Sequence, residues 1–319
     1  MADEMTPERL ARSIKDKLKA AAKQEGRSMN YALAAYAIKG FLRRAALSQH
    51  NGKWALKGGN LMFVWTEDAG RPTFDLDLES LDSDNMTAEE VAKIYDEIAA
   101  IELNDGLDLK MDKKKLLDMT GEGVIGHSIV GAVRLGECII KMKIDFGFGE
   151  VITPKPSDEE FPALFRGDDR VPMLTYTRET VIAEKLHAMT KLGLQNTRLK
   201  DYYDIYHLTK LYELPGEGMK NAVKATFEAR NARRAAGRSL DISSGMEGLS
   251  DAFADRWARQ WASWAKSGNL DTDLTLHQVV HHIRNFAVPL MQSIETGDEL
   301  PDWNPAHQAW EAPELEMVP

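Results

Sequence analysis

The sequence predicts an α+β protein in which a mixed-sheet domain precedes a helical domain. Three observations carry the prediction. Segments with period-two alternation gather between residues 53 and 146. From Thr177 onward, apolar residues recur at helical spacing in one segment after another. Between these regions lies TPKPSDEEFP, whose prolines and acids read as a loop. The sheet domain, with a helical N-terminal extension, is assigned to residues 1–175 and the helical domain to 176–319, the last sheet strand ending near Gly147.

Taken in order, Leu10, Ile14 and Leu18 fall at i, i+4 and i+8 and predict an amphipathic helix over 8–25. A second helix, rich in Ala, Tyr and Leu, follows over 30–47. The period then changes. KWAL (53–56) predicts a strand, KGG (57–59) a tight turn, and NLMFVW (60–65) the start of a helix. RPTFDLDLESL (71–81) alternates as a strand. Thr87 with Glu90 has the form of a capping box and predicts a helix over 88–103. Strands are expected at 107–112, 124–135 and 137–146. Helices are expected at 178–192, 199–213, 218–235, 249–266 and 273–295, before an extended tail punctuated by Pro301, Pro305 and Pro313.

The 319 residues, 43% hydrophobic, suffice for two domains with a substantial core. No apolar run reaches the 18 residues of a membrane span, and the charged N-terminus lacks a signal peptide, so the expected location is the cytoplasm. Cys138 rules out an internal disulfide and is expected as a small buried hydrophobe. A net charge of −10 argues against indiscriminate nucleic-acid coating. Residues 218–238, with Lys220, Lys224, Arg230, Arg233, Arg234 and Arg238, are either a local RNA surface or a solvated helix face, and the same holds for the basic residues of 9–23.

The alternation in RPTFDLDLESL puts Asp75, Asp77 and Glu79 on one strand face. Neighbouring like charges repel, so a cation is expected there, and hard carboxylate oxygens suit Mg²⁺. In CIIKMKIDFGF, Asp145 lies on the polar side of its strand. If that strand adjoins the Asp-x-Asp strand, Asp75, Asp77 and Asp145 form a three-carboxylate metal site, with Glu79 a solvated neighbour. Lys57, Gly58 and Gly59 form a turn between strand and helix where backbone N–H groups can approach a phosphate. Lys185 interrupts the apolar stripe Val181, Ile182, Met189, Leu192, a position that calls for snorkelling or for an anion. Asp201 sits in the first turn of the next helix, and Asp204 calls for Arg198, Lys185 or Lys200 as partner. HQVVH (277–281) has the histidine spacing of a zinc protease motif but Gln278 in place of the glutamate, so its histidines are expected as ordinary helix residues.

In order, FLRRAAL, WALKGGNLMFVW, RPTFDLDL, KIDFGF and ETVIAEKLHAMTKLGLQNTRLKDYYDIYHL resemble the AbiEii/AbiGii family of nucleotidyltransferase toxins of abortive-infection and other type IV toxin–antitoxin systems. The resemblance covers roughly residues 30 to 210. It implies a DNA polymerase β-like nucleotidyltransferase fold, with Gly58 and Gly59 near the triphosphate, Asp75 and Asp77 holding Mg²⁺, and Asp145 the third carboxylate. Lys185 then takes the helical lysine position and Asp201 the aspartate of Arg-x-Lys-Asp. Similar members transfer nucleotides from NTP, some onto the 3′ end of tRNA. Where the wider superfamily favours Gly-Ser, this chain has Gly-Gly followed by Asn60.

The expectation is therefore an Mg²⁺-dependent nucleotidyltransferase toxin, a cytoplasmic monomer with NTP and tRNA as substrates and a cognate antitoxin as partner. Lys57, Gly58, Gly59 and Arg71 would meet the phosphates, Lys185 would steady their developing charge, and Asp201 or Asp204 would orient Lys185 and Arg198. The alternatives are nucleotidyl transfer to a protein or small molecule, and a regulator that binds NTP without turning it over.

Overall fold

The computed structural model describes residues 6–311 except 67–72, 83–84, 112, 120–124, 234–246, 269 and 272. The chain divides into two compact units, Met1–Glu150 with Ser157–Tyr176, and Val151–Pro156 with Thr177–Pro319.

The first unit opens with helices α1 (Pro7–Gln24) and α2 (Met29–Leu47). The Thr6 and Ser28 hydroxyls accept from the backbone N–H groups of Arg9 and Tyr31, satisfying donors that a helix start otherwise leaves bare. The sheet strands are β1 (Trp54–Lys57), β2 (Asp75–Ser80), β3 (Leu107–Asp108), β4 (Lys115–Asp118), β5 (Gly126–Leu135), β6 (Cys138–Gly147), β7 (Ser157–Phe161) and β8 (Val171–Thr175). Helices α3 (Asn60–Thr66) and α4 (Ala88–Ala99) are interleaved, and α4 starts with the expected Thr87/Glu90 capping box. The strand order is β3-β5-β6-β2-β1-β8-β7, with β4 also paired to β5. The pairs β2–β6 and β1–β8 are parallel, whereas β1–β2, β5–β6 and β7–β8 are antiparallel.

Alternation explains which sheet face is buried. Leu76, Leu78, Ile129, Val133, Ile140, Met142, Ile144 and Phe146 are all buried, on the face opposite the aspartates. Helix α2 packs against β6 and β8. Buried ion pairs fix α2 further. Arg44 donates to both oxygens of Asp105 at 2.7 and 3.0 Å, and Lys39 reaches Asp168 at 2.5 Å and the Pro162 carbonyl at 3.0 Å.

Several boundaries differ from the sequence reading. The sheet does not end at Gly147, because SDEEF forms β7 and β8 joins it to β1. Alternation leaves Asp158 and Glu160 exposed on one face while Phe161 is buried on the other, so the acids of SDEEF are compatible with a strand. Strand 107–112 shrinks to two residues, β4 was not anticipated, and the helix at 88 stops at Ala99. Cys138 is partly exposed beside the β5–β6 turn rather than buried.

The second unit contains α5 (Arg178–Leu192), α6 (Leu199–Leu211), α7 (Gly216–Ala232), α8 (Asp251–Ser267) and α9 (Leu276–Thr296). Its tail is not simply extended. Trp303–Asn304 and Ala309–Trp310 pair as strands β9 and β10, and the fully buried Trp303 packs on Phe286 and Trp310. Among the described residues, no helix is long and apolar enough to cross a membrane.

Replacing Arg44 by Met removes a buried guanidinium and leaves Asp105, among the described residues, with the 3.9 Å approach of Arg43 as its remaining ion pair. Breaking one side of a buried pair costs about 3–5 kcal/mol. Guanidinium-chloride unfolding of Arg44→Met is expected to show a loss of this size with an unchanged slope.

Candidate active site

Parallel pairing of β2 with β6 sets Asp77 opposite Asp145 and Asp75 opposite Lys143. Lys57 of β1 lies opposite Asp77, and Ser128 of β5 opposite Asp145. Paired residues point to the same sheet face, and adjacent strands are about 4.8 Å apart. One row across the sheet therefore reads Lys57, Asp77, Asp145, Ser128. Strand alternation brings three aspartates from two distant segments together.

The Gly58-Gly59 turn leans directly on this row. Gly58 has φ +72°, in the left-handed region that disfavours a side chain, and a Cβ there would stand 2.0 Å from Asp77 Oδ2. The glycine thus allows the Asp77 carboxylate to rest against the turn. Asn60 donates from its side-chain amide to the Asp75 carbonyl at 2.7 Å, tying the turn to β2. The residue that follows Gly-Gly thus has a bracing role here.

Glu79 is not a solvated neighbour. It is fully buried, accepting from Lys57 Nζ at 2.6 Å and from the Glu150 backbone N–H at 2.8 Å. This pair lies over Gly147, where a Cβ would meet both side chains within 2.5 Å. Asp145, 7% exposed, accepts from Ser128 Oγ at 2.6 Å and from Lys143 Nζ at 2.7 Å. Burial alone would lower the Lys143 pKa, but the bond to Asp145 and the fields of Asp145, Asp75 and Asp77 outweigh it and raise it. The cation expected on this face is thus partly supplied by the chain. Two ammoniums, Lys57 and Lys143, stand among four carboxylates, Asp75, Asp77, Glu79 and Asp145, a net charge of −2 that one divalent cation would balance.

The donor set fits a hard cation in kind. Among the described residues, however, no three His, Cys, Asp or Glu side chains are already gathered around one point. Asp145 is turned toward Ser128 and Lys143. Arg71 lies outside the described residues.

In the helical unit, Lys185 is buried and donates to Asp201 Oδ1 and Asp204 Oδ2, each at 2.8 Å. Arg198 Nε donates to Asp201 Oδ2 at 2.5 Å, with its side chain half exposed. Both aspartates are fully buried. Burial pushes the Asp201 pKa up, but Lys185 and Arg198 outweigh it and hold it well below the usual carboxylate range. Asp201 is therefore an interior ion-pair partner as well as a first-turn acid.

Other sequence features have ordinary roles. Lys220 is buried against the Asp298 carbonyl, and Arg230 pairs with Glu184 at 2.7 Å, so these two basic residues of 218–238 serve internal contacts. Arg234 and Arg238 lie outside the described residues. The basic side chains of α1 are solvated. His277 pairs with Asp255 and His282 with Thr209. The functional-face residues that the sequence reading left without a role are Lys143, Ser128 and Asn60. Lys143 carried a signal, since it sits two residues before Asp145 on the same strand face.

Two outcomes follow from these contacts. Gly58→Ala is expected to unfold at lower temperature in calorimetry and to lose the Asp77 contact, since both the positive φ and the close carboxylate oppose a methyl group. For Asp201, the folded pKa lies below the unfolded value near 4. Its stabilisation is full above that pH and is lost as pH falls toward the folded value. Asp201→Asn should therefore be about 3–5 kcal/mol less stable at pH 7. The gap to the parent protein should narrow steadily below about pH 4 in urea titrations.

A family model described as nucleotidyl transferase AbiEii toxin, type IV toxin–antitoxin system, matches residues 40–287. Among solved structures, JHP933 from Helicobacter pylori is similar with a TM-score of 0.49 and 13% identity, covering 85% of this chain and 95% of that one. A candidate nucleotidyltransferase from H. pylori is similar with a TM-score of 0.47 and 12% identity, covering 85% and 99%. No curated protein matches the sequence. With the family model spanning well over half of its length, the chain belongs to the AbiEii family of nucleotidyl transferase toxins of type IV toxin–antitoxin systems.

Proposed function

We propose that this toxin is an Mg²⁺-dependent enzyme of DNA polymerase β-like fold that transfers a nucleotide from NTP to the 3′ end of tRNA, blocking translation. It would act as a cytoplasmic monomer until neutralised by its cognate antitoxin. The observation that carries the reading is the packing of the Gly58 turn against Asp77, itself in register with Asp145. A phosphate-approaching turn and a hard-oxygen donor set lie together on the central strands of the sheet.

Asp75 and Asp77 would hold the divalent ion, with Asp145 as a third donor. When bound there, the ion would neutralise triphosphate charge as a Lewis acid. The backbone N–H groups of Gly58 and Gly59 would donate to phosphate oxygens, and Arg71 would add a charged donor. Lys57, anchored by Glu79, would raise the positive potential beneath the turn. The acceptor hydroxyl attacks the α-phosphorus, pyrophosphate leaves, and the hydroxyl proton passes to Asp145 or to water. In the helical unit, Lys185 would hold Asp201 and Asp204 in place, and Asp201 would orient the half-exposed guanidinium of Arg198 as a donor to phosphate.

Incubating the protein with Mg²⁺, each labelled NTP in turn and total cellular RNA tests this reading. Label is expected in the tRNA band. It should fall at least about a hundredfold in Asp77→Asn, assayed at a temperature where the variant is folded. Equal labelling by the parent protein and Asp77→Asn would remove the metal-site assignment. NTP binding without transfer to any acceptor would favour a nucleotide-sensing regulator.

A further inference from the structure

Asp145 differs from its partners in the carboxylate row. Asp75 is exposed and Asp77 half-buried, but Asp145 is buried with both oxygens engaged. Ser128 is a neutral donor that can stay in place when a cation arrives. Lys143 cannot stay in the same way, because its ammonium lies 2.7 Å from Asp145 Oδ2 and directly across from Asp75 in the sheet register. An ion held by Asp145 together with Asp75 would have to compete with that ammonium for the same carboxylate oxygen. Its side chain is 36% exposed and lies on a strand whose next residue on the same face, Lys141, is solvated, so it has room to turn outward.

We propose that Lys143 is a positioning residue that competes with the divalent ion for Asp145. Without metal, the ammonium offsets the repulsion between Asp77 and Asp145, which the register forces side by side. When metal binds, Lys143 releases Oδ2 and the carboxylate turns toward Asp75 and Asp77. The cost of that exchange lowers metal affinity, so the site fills only when the free ion, or the ion carried by NTP, is abundant. The proposal rests on the nucleotidyltransferase reading above, since it presupposes that these carboxylates hold metal.

A purely structural role for Lys143 predicts the opposite sign. If the lysine served only to hold Asp145 in shape, removing it would loosen the site and weaken metal binding. If it competes, removing it strengthens binding, because a like charge a few ångströms from the ion is gone. The full chain, stripped of metal, would be titrated with Mn²⁺ while free Mn²⁺ is read by electron paramagnetic resonance.

Lys143→Met is expected to bind Mn²⁺ roughly tenfold or more tightly than the parent protein, whereas Lys143→Arg, which keeps the charge, should not gain affinity. In the same series, metal-free Lys143→Met should melt at lower temperature and recover more than the parent on adding Mn²⁺. Lys143→Gln serves as a second neutral variant with the same expected sign if the methionine variant does not fold. Unchanged or weaker binding in both neutral variants, with binding intact in the parent, would overturn the competition while leaving the metal site standing. Absence of Mn²⁺ binding by the parent protein, with or without NTP, would overturn both.

Discussion

The register between β2 and β6 is the constraint on which the rest of the site depends. Slipping it by one residue would turn every side chain of β2 to the other face and send Leu76 and Leu78 into solvent. The buried leucines therefore enforce the pairing of Asp77 with Asp145, although that pairing brings two like charges together. Hydrophobic burial on one face of the sheet stabilises an electrostatic conflict on the other, and function can draw on that conflict.

The conflict is relieved locally by means that differ in how easily they are undone. Fully buried Glu79 pairs over Gly147 with the mostly buried Lys57 and is held by a further backbone N–H. Lys143 and Asp145 form a pair with one exposed partner. The first fixes the base of the turn. The second leaves a carboxylate that can exchange one cation for another. In the helical unit, Lys185 with Asp201 and Asp204 resembles the first kind, and Arg198 with its outward-facing side chain resembles the second.

Much of this was legible in the amino-acid sequence where a local rule decided it. Period-two alternation placed Asp75, Asp77 and Asp145 on polar strand faces, and the change of period at Lys57-Gly58-Gly59 marked the turn. A lysine inside an apolar helical stripe called for snorkelling or for an anion, and the structure supplies anions in Asp201 and Asp204. What was not legible depended on register or on edges. Glu79 reads as one more acid on an open face until Lys57 and Glu150 are placed around it. Lys143 acquires its meaning only from the strand that lies beside it. β7 was hidden because SDEEF has a loop's composition, yet an edge strand tolerates acids on its open side.

The central claim is that one cation site is shared by Asp75, Asp77 and Asp145 and is contested by Lys143. Its most direct test is a crystal of the protein grown with Mn²⁺ and a non-hydrolysable NTP, measured at the manganese absorption edge. The account predicts an anomalous peak bonded to Asp75 and Asp77, with the 2.7 Å contact between Lys143 and Asp145 broken. A peak elsewhere, or a filled site with that contact intact, would contradict it.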